Sequence, residues 1–188
     1  MNMGTPRIGF MIGGAQKCGT TAFTEFLRLH PQARLPLGKE AHIFDAPDYD
    51  DAALPETIDA RFAAHFAEPW QESLLYGDAT PISLFLETAI CRAARYNPAL
   101  RWIILLRDPA ERALSHYAME RARGNESLPL LPALLAEPWR LRRARGDLGW
   151  NSSLRNHSYR ARGEYAAQLQ RLLRHFPREQ VLLLRSAD

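Results

Sequence analysis

Short continuous apolar runs alternate with amphipathic stretches along this chain, and turn residues separate them. Arg7–Ile12 (RIGFMI) is an apolar run closed by Gly13-Gly14, the pattern of a buried first strand. Thr21–His30 then places Ala22, Phe23, Phe26 and Leu27 on one helical face, and Pro31 stops it. Residues 31–51 read as irregular, with Pro31, Pro36, Gly38 and Pro47. Ile58, Phe62 and Phe66 recur every four residues and mark a second amphipathic helix. Ser73–Tyr76 reads as a short strand and Ile82–Tyr96 as a helix closed by Asn97-Pro98. Arg101–Leu106 (RWIILL) is continuous and apolar, as a central parallel strand is. Asp108, Pro109 and Glu111 form an N-terminal signature for a helix reaching about Arg123. Residues 124–138 look looser, with room for a short helix, and Arg140–Asp147 is dense in arginine. Gly163–His175 is another helix and Gln180–Arg185 a last strand.

The alternation predicts an α/β chain: a three-layer, P-loop-like fold with a mostly parallel central sheet flanked by helices. With 188 residues, 46% of them hydrophobic, one sizeable core is expected. The expectation is a single domain over residues 1–188. The chain stops right after its last strand, so that domain is expected to lack its C-terminal part. The net charge of +3 is too small to point to nucleic acid. Arginine far outnumbers lysine, and its planar fork suits phosphate and sulfate oxygens. Cys18 and Cys91 are too few for a disulfide framework and read as free thiols in a reducing compartment. Met1–Pro6 carries no signal-peptide layout and nothing approaches a membrane span, so a cytoplasmic location is the default expectation. Oligomeric state is not legible.

The chemistry concentrates in Gly13-Gly14-Ala15-Gln16-Lys17-Cys18-Gly19-Thr20-Thr21, between the first strand and first helix. Such a turn aims backbone N–H groups and a helix N-terminus at one point, which favours an anion. Lys17 adds a full charge, and Thr20 and Thr21 add hydroxyls. The loop is not a Walker A motif, because Thr20 rather than lysine follows Gly19. The central strand ends in Arg107, where a metal-dependent kinase prefers an anion. Cations at both places suit a phosphorylated ligand without a metal, and no metal-ligand spacing is visible. Cys18, beside Lys17 and a helix N-terminus, is expected to have a lowered thiol pKa, but no ordered Cys/His/Asp set makes it a nucleophile.

The loop Gln16-Lys17-Cys18-Gly19-Thr20-Thr21 resembles the 5′-phosphosulfate loop of the sulfotransferases that use 3′-phosphoadenosine 5′-phosphosulfate (PAPS). The similarity is to the branch of bacterial sulfotransferases and heparan sulfate N- and 3-O-sulfotransferases. It continues through Lys39-Glu40-Ala41-His42-Ile43-Phe44, Gly77-Asp78-Ala79-Thr80-Pro81, Leu106–Tyr117 and Arg162-Gly163-Glu164-Tyr165. The resemblance implies sulfuryl transfer from PAPS, without a metal, to an acceptor hydroxyl or amine. Saccharide, lipid, phenol and peptide acceptors all stay open. It implies that Lys17 steadies the bridging oxygen and that Gln16, Cys18, Gly19, Thr20 and Thr21 complete the loop on the 5′-phosphate. Arg107 and Ser115 match the family's 3′-phosphate pair. Glu40 matches the base of the heparan sulfate enzymes, with His42 as its rival. The heparan sulfate enzymes carry a lysine before Thr-Pro, and Ala79 stands there in this chain. Asp78 reads as an orienting group or a turn cap. Trp150, His157 and Tyr159 read as cleft lining or as packing. Arg140, Arg142, Arg143 and Arg145 read as an acidic-acceptor patch or a solvated face. The rival classes are a metal-dependent P-loop kinase and a nucleotide-binding remnant without turnover.

Overall fold

The structure, a computed structural model, describes residues 7–186; the reading of Met1–Pro6 lies outside them. Five strands make one sheet: β1 (Phe10–Gly14), β2 (Ala33–Arg34), β3 (Leu75–Asp78), β4 (Arg101–Leu106) and β5 (Val181–Arg185). Their order is β2-β3-β1-β4-β5 and every neighbouring pair is parallel. Helices flank the sheet: α1 (Thr20–Arg28), α2 (Pro55–Ala63), α3 (Glu87–Tyr96), α4 (Pro109–Ala122), α5 (Leu130–Arg143), α6 (Ser153–Asn156) and α7 (Tyr165–Leu173). The core is built on the apolar strands, with Met11, Ile12, Trp102 and Ile104 fully buried. Burying such side chains contributes about 1.5–3 kcal/mol each.

The order makes β1 the switch point, since β2 and β3 lie on one side of it and the chain then crosses over to add β4 and β5 on the other. Ligands bind beyond the carboxyl ends of strands at such a point.

Several elements differ from the sequence pattern. β1 runs through Gly13 and Gly14 instead of ending before them. A Cβ on Gly13 would lie 2.2 Å from the Trp102 ring, so the missing side chain makes room for the core indole. The helix expected from Ile82 begins at Glu87. The Leu84 N–H donates to the Gly13 carbonyl at 2.8 Å, so this backbone fastens to the end of β1 before the helix starts. Phe66 lies beyond α2 and packs edge-on against Tyr76 at 5.1 Å. Within the stretch expected to be irregular, Ala33–Arg34 pairs with β3.

The largest difference is α5, a 14-residue helix that carries Pro138 in its interior. Proline removes one helical hydrogen bond there. Tertiary contacts offset the loss: Ala133 is buried, and the Glu137 carboxylate accepts the Arg160 and Ala161 N–H groups at 2.8 Å.

Candidate functional site

The loops after β1, β3 and β4 border one cleft of about 790 Å³. On its first wall, Gly19 adopts φ 82°, which a side chain disfavours, and turns the chain into α1. Among the described residues no side chain caps α1, its first turn carries no acid, and Thr20 and Thr21 at its start line the cleft. Gln16, Lys17, Thr20 and Thr21 line this wall. Lys17 Nζ lies 3.8 Å from Met119 Sδ. Cys18 is different. Its Sγ turns into the core, 3.6 Å from the Tyr165 hydroxyl, and its N–H donates to the Ala15 carbonyl at 3.2 Å. Burial pushes its thiol up and outweighs Tyr165 and the nearby arginines, which corrects the expected lowering.

Arg107 and Ser115 line the second wall, from the end of β4 and from α4. Asp108 caps α4 by accepting from the Ala110 and Glu111 N–H groups, as the sequence signature predicts. Arg107 Nε donates to Glu111 Oε2 at 2.9 Å, one turn along that helix.

The third wall is the Lys39–His42 loop. Lys39 Nζ sits 2.8 Å from Glu40 Oε1, and Glu40 Oε2 lies 3.3 Å from His42 Nε2. His42 Nδ1 meets the buried Asp45 Oδ2 at 2.9 Å, and Arg155 Nη1 meets the same oxygen at 2.7 Å. Burial alone would lower the His42 pKa. The Asp45 hydrogen bond and charge, with Glu40 and Asp78, outweigh it and raise the imidazole above its ordinary value. The Asp45 carboxyl is held below its ordinary range, because His42 and Arg155 outweigh its burial.

Asp78 proves to be a cap. Its Oδ1 accepts the Ala41 N–H at 2.9 Å, and Thr80 Oγ1 accepts the His42 N–H at 3.3 Å. Lys17, Lys39 and His42 all hold positive φ, at 70°, 69° and 52°, and all three line the cleft. Such backbone costs of order 1–3 kcal/mol each and concentrates at functional sites.

Residues 8–188 match the Sulfotransferase domain family. The chain belongs to the sulfotransferase family. It is 32% identical over 173 residues to heparan sulfate glucosamine 3-O-sulfotransferase 6 of Mus musculus, which covers 89% of this chain and 43% of that protein. It is 28% identical over 194 residues to the bifunctional heparan sulfate N-deacetylase/N-sulfotransferase 2 of Homo sapiens, covering 93% of this chain and 19% of that one. A solved sulfotransferase from Alicyclobacillus acidocaldarius superposes with a TM-score of 0.76 at 30% identity, covering 96% of this chain and 73% of that one. The chain therefore spans less than half the length of the curated relatives it matches. Family membership goes against the P-loop kinase alternative. No described helix is long and apolar enough to cross a membrane.

The cleft contains groups that sequence reasoning left out. Lys17 and Lys39 are the chain's two lysines, and both line the cleft. Ala79 is fully buried, so a second ammonium reaches the site from another loop. The scarcity of lysine was a signal that could have found Lys39. Arg155, Arg162 and Glu120 also line the cleft. Among arginines this numerous, nothing in the sequence singled out the first two, although Arg162 stands in a family-like run. Trp150 lines the cleft, with Arg155 stacked 4.4 Å from its ring centre. Tyr159 is fully buried and donates to Glu126 at 2.9 Å, and His157 contacts Ser153 and the Asn125 carbonyl. Arg140 pairs with Glu126, and Arg143 stacks on Trp139 at 4.6 Å, so neither is a free acceptor patch.

Proposed function

We propose that this chain transfers a sulfuryl group from PAPS to a hydroxyl or amine of a saccharide-class acceptor. One observation carries the reading. A single cleft joins the N-terminus of α1 with Lys17, the Arg107–Ser115 pair, and the Glu40 carboxylate. The donor set fits PAPS: the loop and α1 suit a 5′-phosphosulfate, and Arg107 with Ser115 suits a 3′-phosphate. Gln16, Gly19, Thr20 and Thr21 complete the loop, while Cys18 only shapes its turn, its N–H held by the Ala15 carbonyl. PAPS supplies the activated sulfuryl group.

Lys17 is the group that stabilises charge growing on the leaving phosphate oxygen, where a cation is worth most in the transition state. Glu40 takes the acceptor's proton. His42 has Nδ1 committed to Asp45 and Nε2 turned to Glu40, so neither ring nitrogen is left to take a proton from the acceptor. His42 instead orients Glu40 through Nε2 while Asp45 fixes its other nitrogen. The saccharide class rests on the names of the curated relatives. Free thiols at Cys18 and Cys91 fit a reducing, cytoplasmic setting.

The test is titration calorimetry with adenosine 3′,5′-bisphosphate and with ATP, each with and without Mg²⁺. Metal-independent binding of the bisphosphate, with ATP weaker, supports the reading. Binding of ATP that requires Mg²⁺, with none of the bisphosphate, overturns it.

A further inference from the structure

Arg162 is buried with 1% of its surface exposed, yet it lines the cleft from the 3₁₀ turn before α7. Every hydrogen bond it makes goes to a neutral group. Nε donates to Ser158 Oγ at 2.7 Å, and Nη2 donates to the Leu154 and Arg155 carbonyls at 3.3 and 2.6 Å. Nη1 donates to Gln16 Oε1. Among the described residues no carboxylate lies within ion-pair distance of it. A second cation, Arg112, is fully buried nearby, its Nη2 donating to the Tyr159 carbonyl while Nε and Nη1 have no partner. Burial, then Arg112, depresses the Arg162 pKa to about 9, and the more distant Glu120 and Glu40 charges oppose this only in part. A buried charge with no direct ion-pair partner is costly, and an anion placed beside it recovers much of that cost.

The Gln16 contact adds direction. A guanidinium has only donors, so the Gln16 atom that meets Arg162 must be the oxygen. The amide NH2 is then the free end, and no described residue accepts from it. Gln16 itself lines the phosphate loop wall beside Lys17.

We propose that Arg162 is a positioning residue for the anionic end of the co-substrate: it holds Gln16 by its oxygen, leaves the amide NH2 to donate into the cleft, and adds positive charge to that wall. This rests on the reading that the cleft takes the bisphosphate nucleotide. It also gives a role to the first residue of Arg162-Gly163-Glu164-Tyr165. The last residue of that run fastens the neighbouring loop, as the Tyr165 hydroxyl donates to the Arg107 carbonyl at 3.1 Å.

The experiment is calorimetry with adenosine 3′,5′-bisphosphate and with inorganic pyrophosphate on wild type, Arg162→Met, Gln16→Ala, Gln16→Glu and the Arg162→Met/Gln16→Ala double variant. Each of the first two losses is expected to weaken binding about tenfold. The double variant is expected to be no weaker than about threefold beyond either single, because both remove one arrangement. Gln16→Glu, which replaces donors by a carboxylate and neutralises Arg162, is expected to bind more weakly than Gln16→Ala. Unchanged affinity in either single variant, or fully additive losses, overturns the proposal. If Arg162→Met fails to fold, the Gln16 pair decides alone, and equal affinities there overturn it. Wild type that binds pyrophosphate with this coupling but not the nucleotide keeps the Arg162 role and removes the nucleotide reading. Wild type that binds neither removes both.

Discussion

Asp78→Asn should make this protein more stable at neutral pH and should do so only there. Asp78 is 1% exposed at the end of β3. Burial raises its carboxyl from 3.8 to about 6, against the opposing hydrogen bonds from the Ala41 N–H, Thr80 and the Ala79 N–H. Its Oδ2 has no hydrogen-bond partner. The sign follows from proton binding. Between these two values the folded carboxyl holds a proton that the unfolded one releases, so stability falls as pH rises and then levels off above about pH 6. A shift of about two units corresponds to about 3 kcal/mol at neutral pH. For a chain of this size that is roughly 6–12 °C in Tm. Asparagine has the same shape and keeps an oxygen for the Ala41 N–H, so the Lys39–His42 loop stays anchored while the buried charge is gone. Thermal melts of both proteins across about pH 4 to pH 8 check this, with the gap in Tm opening as pH rises. A variant that melts at or below wild type at neutral pH, or a gap that ignores pH, would refute the reasoning.

Glu40→Gln should lower turnover by about 100-fold or more while bisphosphate affinity stays within about twofold, measured by sulfuryl-transfer assay and calorimetry. Arg107→Ala should weaken adenosine 3′,5′-bisphosphate binding by about 10- to 100-fold, and Ser115→Ala by a smaller factor, because a charged donor outweighs a hydroxyl. Arg155→Met leaves the Asp45 carboxylate buried against His42 alone, so urea melts should show a loss of about 3–5 kcal/mol; adding Asp45→Asn should recover part of it.

Much of this fold is written locally. RWIILL reads as a strand from its short, continuous apolar run, and Asp108-Pro109 starts a helix locally, because a side-chain cap and a fixed φ act within a few residues. The phosphate loop is equally local, since its spacing between strand and helix is enough to aim Lys17 and the α1 N–H groups at one point. The α5 helix was not legible, because Pro138 and scattered arginines mask a helix held by the buried Glu137 reaching residues 160 and 161. The start of α3 was misplaced for a similar reason, as Leu84 bonds to Gly13, distant in the chain.

The candidate site divides the same way. From sequence alone came the loop and the residue types for anion binding, and from the family resemblance the carboxylate at Glu40. Only the tertiary structure turned Cys18 into the core, made Asp78 a loop anchor, chained His42 to Asp45 and Arg155, and brought Lys39 and Arg162 to the cleft wall. Those outcomes depend on burial and on partners as many as 147 residues apart, as Cys18 and Tyr165 are. Hydrogen bonding over such separations is decided by how the sheet orders its strands, and no local pattern of residues encodes that order.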